Sequence, residues 1–262
     1  MTRNIKIKKI VIKIGTNVLT DRNGLLDLNI INNLVSQIAK IKNKRNIIVI
    51  TSGAIGAGMQ ELGLKEKPNN VVMKQVCAGI GQNILMANYY KFFSHYNVKI
   101  AQILITYNDL TNKETYSNLK NSLDRLLELE VVPIINENDP ISIKEIGPSF
   151  GDNDNLSALI SSKIRADLLV ILTNVDGLYN KDPKDKSAVL IKEVKNIDKY
   201  IEAISGKASQ LGLGGMKTKV KAAKIGVNSG VTVVIANGKI EDVLIKLLNN
   251  EDVGTIFYPK KN

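Results

Sequence analysis

The sequence predicts an α/β protein, a three-layer αβα sandwich with a largely parallel central sheet. Short β-branched apolar runs alternate along the chain with longer stretches whose apolar residues recur at helical spacing. This alternation is typical of parallel strands that are covered on both faces by helices. The chain has 262 residues, of which 44% are hydrophobic and 23% charged, as in ordinary globular proteins. No linker or internal repeat interrupts it, so we expect a single domain, residues 1–262.

The individual elements follow from apolar spacing and from turn residues. Strands are predicted at residues 8–15, 46–51, 98–106, 131–136, 168–173, 189–194, 231–236 and 254–258. Helices are predicted at residues 26–41, 71–93 (as one helix or two), 112–129, 156–164, 216–226 and 240–248.

The composition excludes several classes of function. Cys77 is the only cysteine and His95 the only histidine, so the usual zinc sites and Ser-His-Asp hydrolases are hard to build. The net charge of +11 suggests nucleic-acid binding, but the lysines are spread along the chain and arginine is scarce. No apolar run approaches the roughly 20 residues of a membrane-spanning helix. We expect a cytoplasmic protein without a nucleic-acid or membrane partner.

Residues 151–155 (GDNDN) carry two carboxylates and two carboxamides directly before an apolar run. One Asp or Asn is enough to cap a helix. The surplus therefore indicates that something polar is bound here, although a well-capped helix start on a surface loop stays open as the alternative.

A second informative stretch, residues 212–219 (GLGGMKTK), places glycines and two lysines at a predicted helix start. Backbone N–H groups and the helix N-terminus favour an anion there. The stretch is not a Walker A motif, and no dinucleotide-binding glycine pattern follows a strand. A flexible glycine loop before a surface helix is the alternative interpretation.

Lys13 is unusual because it interrupts an apolar strand just before a glycine turn. A lysine in this position is costly unless its ammonium group reaches solvent or an anion. We expect Lys13 to meet phosphate, and a lysine on an edge strand that extends its amine to solvent is the alternative. Polar residues also follow other strands, at Thr51-Ser52, at residues 136–139 and at Thr173-Asn174. The carboxyl ends of parallel strands are where such sheets bind ligands.

These features fit phosphoryl transfer, which needs positive charge around the transferred group and little covalent chemistry from the protein. The chain offers no obvious histidine base. A carboxylate acceptor needs none, because it is already an anion at neutral pH (pKa about 4.3 for Glu). A carboxylate or a phosphate is therefore the favoured acceptor.

Six blocks in the chain resemble glutamate 5-kinase, a branch of the amino acid kinase superfamily. They are VIKIGTNVLT (11–20), VITSGAIGAG (49–58), VVPIINENDP (131–140), FGDNDNLSALI (150–160), LTNVDGLYNKDP (172–183) and LGGMKTKVKAA (213–223). The resemblance implies the amino acid kinase fold, with ATP and Mg²⁺ used to phosphorylate the side-chain carboxylate of L-glutamate in proline biosynthesis. Sister kinases acting on UMP, acetylglutamate, aspartate or carbamate are the alternative.

The resemblance also implies roles for single residues. Lys13 would bind ATP phosphate, Lys219 would stabilise the transferred phosphoryl group, and Asp154 would orient both lysines. Glutamate contacts fall on Ser52, Asp139 and Asn153, and no residue is assigned to direct metal binding. ATP contacts fall on Lys13, Thr173, Asn174, Leu213, Gly214, Gly215, Met216, Lys217, Thr218 and Lys219. The N-terminal part (about 1–165) would bind glutamate and the C-terminal part (about 166–262) would bind ATP.

The chain departs from the family pattern at Asn174, where aspartate is frequent, and at Leu213, where threonine is frequent. Many members also continue into a C-terminal PUA domain, and we expect none here. A homo-oligomer (dimer or tetramer) and feedback inhibition by proline are further implications of the resemblance.

Overall fold

The computed structural model describes residues 7–142, 153–207 and 215–259. The chain separates into two compact units. The N-terminal unit is residues 14–153, and the C-terminal unit combines residues 1–13 with residues 154–262.

The N-terminal unit contains three parallel strands. They are β2 (Asn46–Ile50), β3 (Ile100–Ile105) and β4 (Val132–Glu137), in the order β3-β4-β2. Its helices are α1 (Thr16–Leu19), α2 (Leu28–Lys42), α3 (Ala54–Glu61), α4 (Val71–Ser94), α5 (Tyr107–Thr111) and α6 (Lys113–Glu128). The apolar side chains of β2 and β4 are buried, as expected for strands inside a parallel sheet.

Close packing of α3 against α4 depends on two glycines. A Cβ atom at Gly58 would lie on the backbone carbonyl of Cys77, and one at Gly81 would lie on the carbonyl of Ala54. Any side chain at either position would therefore push the two helices apart.

The strands that belong mainly to the C-terminal unit run in the order β1-β5-β7-β8-β6. Their bounds are β1 (Lys9–Ile14), β5 (Leu168–Thr173), β6 (Glu193–Val194), β7 (Thr232–Asn237) and β8 (Thr255–Phe257). Strands β5 and β7 are parallel, whereas β8 runs antiparallel to β7. The helices are α7 (Asn153–Lys163), α8 (Lys199–Lys207), α9 (Met216–Asn228) and α10 (Val243–Leu248).

Most predicted elements are present with bounds within a few residues. Residues 71–94 form one helix, which settles the choice between one and two. The strand predicted at 189–194 was too long: only Glu193–Val194 is a strand, and Leu190 makes an isolated bridge to Tyr179. Helices α1, α3, α5 and α8 were not predicted.

No helix among the described residues is both long and apolar enough to cross a membrane.

Candidate active site

A buried cluster in the C-terminal unit joins three of the predicted site residues. Asp154 Oδ1 lies 2.6 Å from Lys13 Nζ, and Asp154 Oδ2 lies 3.0 Å from Lys219 Nζ. The hydroxyl of Thr218 donates to the same Oδ2 at 2.9 Å. We call Lys13, Asp154, Thr218 and Lys219 the lysine–aspartate cluster. One carboxylate thus holds two ammonium groups in fixed positions.

Each member of the cluster is delivered by the end of a secondary-structure element. Lys13 is the next-to-last residue of β1, and Asp154 is in the first turn of α7, where the helix dipole favours a carboxylate. Thr218 and Lys219 are in the first turn of α9. The amino-terminal ends of two helices and the carboxyl end of a strand are positions that suit anion binding.

The charges of the cluster are almost completely removed from water. Asp154 is fully buried, and Lys13 and Lys219 are each 5% exposed. Burial by itself would raise the pKa of Asp154, but the ammonium groups of Lys13 and Lys219 hold that pKa well below its usual range. The carboxylate therefore stays ionised at any pH at which the protein works. Within the cluster two positive charges share one negative charge, an arrangement that attracts phosphate.

The predicted nucleotide contacts in the described residues, apart from Lys13, lie at the carboxyl end of β5 and at the start of α9. Thr173 closes β5 and is buried, while the neighbouring Asn174 is exposed. Gly215 is the N-cap of α9 and has no side chain to accept from the first N–H groups, which suits the binding of an anion at this end of the helix. Met216 is buried and Lys217 exposed. Leu213 and Gly214 lie outside the described residues, as do Gly151 and Asp152.

A second polar group, the amide network, lies in the N-terminal unit and consists of Gln82, Asn136 and Asn153. Asn136 Nδ2 donates to Gln82 Oε1 at 2.8 Å, and Asn153 Nδ2 lies 3.0 Å from Asn136 Oδ1. Asn153 Nδ2 also lies 2.6 Å from the carbonyl oxygen of Thr51 and 3.0 Å from Ser52 Oγ. Two of the predicted glutamate contacts, Ser52 and Asn153, therefore touch each other.

A cavity of about 240 Å³ opens in the same unit. Its wall includes Gln82 from the amide network and the predicted glutamate contact Asp139, together with Glu137. Polar groups that converge on one concave site are the usual signature of a ligand pocket. Sequence reasoning assigned no role to Gln82, and it noted Asn136 only as one of the polar residues 136–139 at the end of a strand. The available signal was a pair of carboxamides, one interrupting an apolar helix and one closing an apolar strand.

No group of three or more His, Cys, Asp or Glu side chains is placed to hold a metal ion in the described part of the chain. Mg²⁺ commonly retains waters and is held by substrate phosphates with one or two carboxylates. The lysines and the α9 N-terminus are suited to the phosphates of such a complex.

Comparisons with known proteins identify the family to which the chain belongs. Residues 8–237 match the Amino acid kinase family. The glutamate 5-kinase of Caldanaerobacter subterraneus is 48% identical over 97% of this chain and 68% of its own length. That of Clostridium acetobutylicum is 44% identical over 97% of this chain and 96% of its own length.

Among solved structures, carbamate kinase from Giardia lamblia bound to AMP-PNP matches with a TM-score of 0.68 at 16% identity. The match covers 97% of this chain and 99% of that one. It shows a shared fold, and the predicted α/β fold class is confirmed.

Proposed function

The chain belongs to the glutamate 5-kinases of the amino acid kinase family, and we propose that the lysine–aspartate cluster and the amide network are its phosphoryl-transfer and glutamate sites. The enzyme uses ATP to phosphorylate the side-chain carboxylate of L-glutamate, giving L-glutamyl 5-phosphate and ADP at the start of proline biosynthesis. The observation that carries the site assignment is the contact of Asp154 with both Lys13 and Lys219.

The chemistry needs no general base. An oxygen of the glutamate carboxylate attacks the γ-phosphorus, and the bond from that phosphorus to the bridging oxygen of ADP breaks. Because the acceptor is already ionised, the protein has to supply position and positive charge rather than remove a proton. Lys219 donates to the transferred phosphoryl group, and Lys13 binds the phosphates of ATP.

Asp154 acts on the lysines rather than on the substrates. Its two oxygens hold the two ammonium groups in place before ATP arrives, so little reorganisation is needed during transfer. Mg²⁺ bound to the ATP phosphates would neutralise part of their charge.

The N-terminal unit supplies the glutamate contacts. Asp139 provides a carboxylate for the ammonium group of glutamate, and Ser52 and Asn153 provide further polar atoms for its carboxylates. Asn153 Oδ1 is buried and has no hydrogen-bond partner among the described residues, so it is open to a donor from a ligand. The nucleotide contacts, including Thr173, Asn174 and the start of α9, belong to the C-terminal unit.

A coupled assay of ADP release tests the function directly. We expect release that depends on L-glutamate and Mg²⁺, and none when acetylglutamate, aspartate, carbamate or UMP replaces glutamate. Release with one of those acceptors alone would instead identify a sister kinase. Addition of free proline to the same assay tests feedback inhibition, which we expect to lower the rate.

We also propose that the chain forms a cytoplasmic homo-oligomer through α4. This helix is apolar on more than one face: Val72, Val76 and Tyr90 lie on one side of it and are 64%, 44% and 69% exposed. An apolar stripe of this kind normally packs against a partner, and a second copy of the same helix would cover it. Light scattering should give a mass above that of one chain, and Val72→Lys should lower it; a monomeric wild-type protein would exclude the assembly.

A further inference from the structure

Gln82 is a buried carboxamide in the middle of α4, a helix composed mainly of apolar residues. It is 8% exposed and lines the 240 Å³ cavity together with Asp139 and Glu137. Gln82 therefore belongs both to the amide network and to the wall of the cavity.

The orientation of the Gln82 carboxamide is fixed by the backbone. The N–H of Glu137, which cannot be exchanged for an acceptor, donates to Asn136 Oδ1 at 2.9 Å. The Nδ2 of Asn136 must therefore be the atom that faces Gln82, and Gln82 must accept its hydrogen bond with Oε1, at 2.8 Å. If the Gln82 carboxamide were flipped, its Nε2 donor would face the Nδ2 donor of Asn136.

This orientation leaves Gln82 Nε2 as a donor at the end of the network. The atom is buried and has no hydrogen-bond partner among the residues that the structure describes. A buried donor without a partner costs free energy comparable to a lost hydrogen bond, so proteins retain such groups where a ligand satisfies them.

We propose that Gln82 is a substrate-binding residue whose Nε2 donates a hydrogen bond to a carboxylate of the bound amino acid. The inference rests on the proposed function. The cavity wall then offers complementary groups to an amino acid, an N–H donor from Gln82 for a carboxylate and the Asp139 carboxylate for the ammonium group. Through Asn136, Gln82 also holds the carboxamide of Asn153 in its orientation.

Gln82→Glu tests this assignment most sharply. It retains the oxygen that accepts from Asn136 but replaces the donor by an oxygen that repels a carboxylate. Calorimetric titration with L-glutamate in the absence of ATP should show Kd raised by about 10- to 100-fold, as expected for loss of a hydrogen bond to a charged group. The KM for ATP should change by less than about threefold, because the nucleotide contacts lie in the C-terminal unit.

Two further variants complete the design. Gln60→Glu makes the same chemical change at an exposed site on α3 of the same unit and should leave glutamate binding unchanged. Gln82→Met removes the donor without adding charge, together with the oxygen that accepts from Asn136, and should raise Kd by at least about tenfold; unchanged glutamate affinity in this variant would overturn the assignment even if Gln82→Glu does not fold. Thermal unfolding establishes that each variant is folded.

The outcomes separate the two levels of the proposal. A wild-type protein that neither binds nor phosphorylates glutamate would overturn the proposed function. A wild type that does both, with unchanged glutamate affinity in folded Gln82 variants, would overturn the assignment of Gln82 alone. Equal weakening of glutamate binding and ATP binding would also overturn this assignment, because a general structural role of Gln82 would then explain the lost affinity.

Discussion

Replacing Asp154 by asparagine removes the carboxylate that contacts both Lys13 and Lys219 while it keeps the size of the side chain. At separations of 2.6 and 3.0 Å, and with an effective dielectric constant of about 20, each ion pair amounts to on the order of 6 kcal/mol of attraction. The desolvation of three buried charges offsets most of this sum. The wild-type cluster is therefore a balance between attraction and burial.

Removal of one partner upsets that balance. Loss of one member of a buried ion pair costs about 3–5 kcal/mol, because the remaining charge is left uncompensated. A domain whose stability is about 10 kcal/mol, in the middle of the usual range, remains folded at room temperature after such a loss. We expect a lower Tm for Asp154→Asn, but a folded protein in the assay.

The kcat of Asp154→Asn should fall by far more than a loss of folded protein can explain. Without Asp154 the two ammonium groups repel each other and no longer hold the positions needed at the transferred phosphoryl group. Loss of a preorganised charge contact in a transition state lowers kcat about 100- to 1,000-fold. Affinity for the phosphates of ADP should be retained or increase, because the cluster has lost its negative charge.

The assay combines ADP release at saturating substrates with thermal unfolding in the presence and absence of ADP. Asp167→Asn is a matched control, because Asp167 is not a member of the cluster. Its Oδ2 accepts hydrogen bonds from the backbone N–H groups of Lys8 and Lys9, each at 2.8 Å. That variant should lose stability and retain its kcat. If Asp154→Asn behaves in the same way, with kcat within about tenfold of wild type, Asp154 only stabilises the start of α7.

Three further predictions concern the charge of Asp154, the role of Lys219 and the packing of α3 against α4. As the pH falls below about 4, the difference in unfolding free energy between wild type and Asp154→Asn should shrink. The lowered pKa of Asp154 keeps the folded carboxylate ionised, whereas the same carboxylate in the unfolded chain takes up a proton. Urea titrations in which this difference is independent of pH would contradict the prediction. Lys219→Met should lower kcat by about 100-fold or more. Lys224→Met is its control, because it breaks an exposed ion pair on the same helix and should leave kcat unchanged. Equal kcat values for the two variants would remove the role assigned to Lys219. Gly81→Ala should destabilise the protein by about 2 kcal/mol or more, because the added Cβ would clash with α3. Gly206→Ala is the control, because its Cβ would have no neighbour within 4 Å among the described residues, and it should be neutral or slightly stabilising. Equal effects of the two changes in chemical unfolding would contradict the packing argument.

The strands could be predicted well because each carries its own signal. β5 is a continuous apolar run that is buried along its whole length, and its observed bounds equal the predicted ones. Helix α3 could not be predicted in this way, because Gly56 and Gly58 lower helix propensity in the isolated segment. Those glycines are used in tertiary packing, which a local pattern does not contain.

The site was only partly accessible from the sequence for a related reason. The sequence indicated that Lys13 and the start of α9 would meet an anion, and the family resemblance suggested that Asp154 joins the two lysines. The contact itself spans 65 positions between Asp154 and Lys219, so only the fold could show it. Gln82 gave a weaker signal, because a single carboxamide in an apolar helix has many possible partners.

Consecutive residues at the start of α7 contact different clusters, and an exchange of their side chains tests whether this division matters. Asn153 belongs to the amide network and Asp154 to the lysine–aspartate cluster, as expected for neighbours that point about 100° apart around a helix. The double variant Asn153→Asp/Asp154→Asn keeps the composition and charge of the segment, and either residue type is suitable near a helix N-terminus. If the residues only begin the helix, the variant should retain activity.

We expect the opposite, because the exchange damages both sites at once. A carboxylate at position 153 would face the backbone carbonyl oxygen of Thr51 and the side-chain Oδ1 of Asn136, where the wild type has an N–H donor. Position 154 would lose the charge that holds Lys13 and Lys219. Calorimetry should show weakened glutamate binding while ADP still raises Tm, and ADP release should fall by at least about 100-fold. Activity within about tenfold of wild type would mean that polarity at this helix start is sufficient, whatever the order of the two residues.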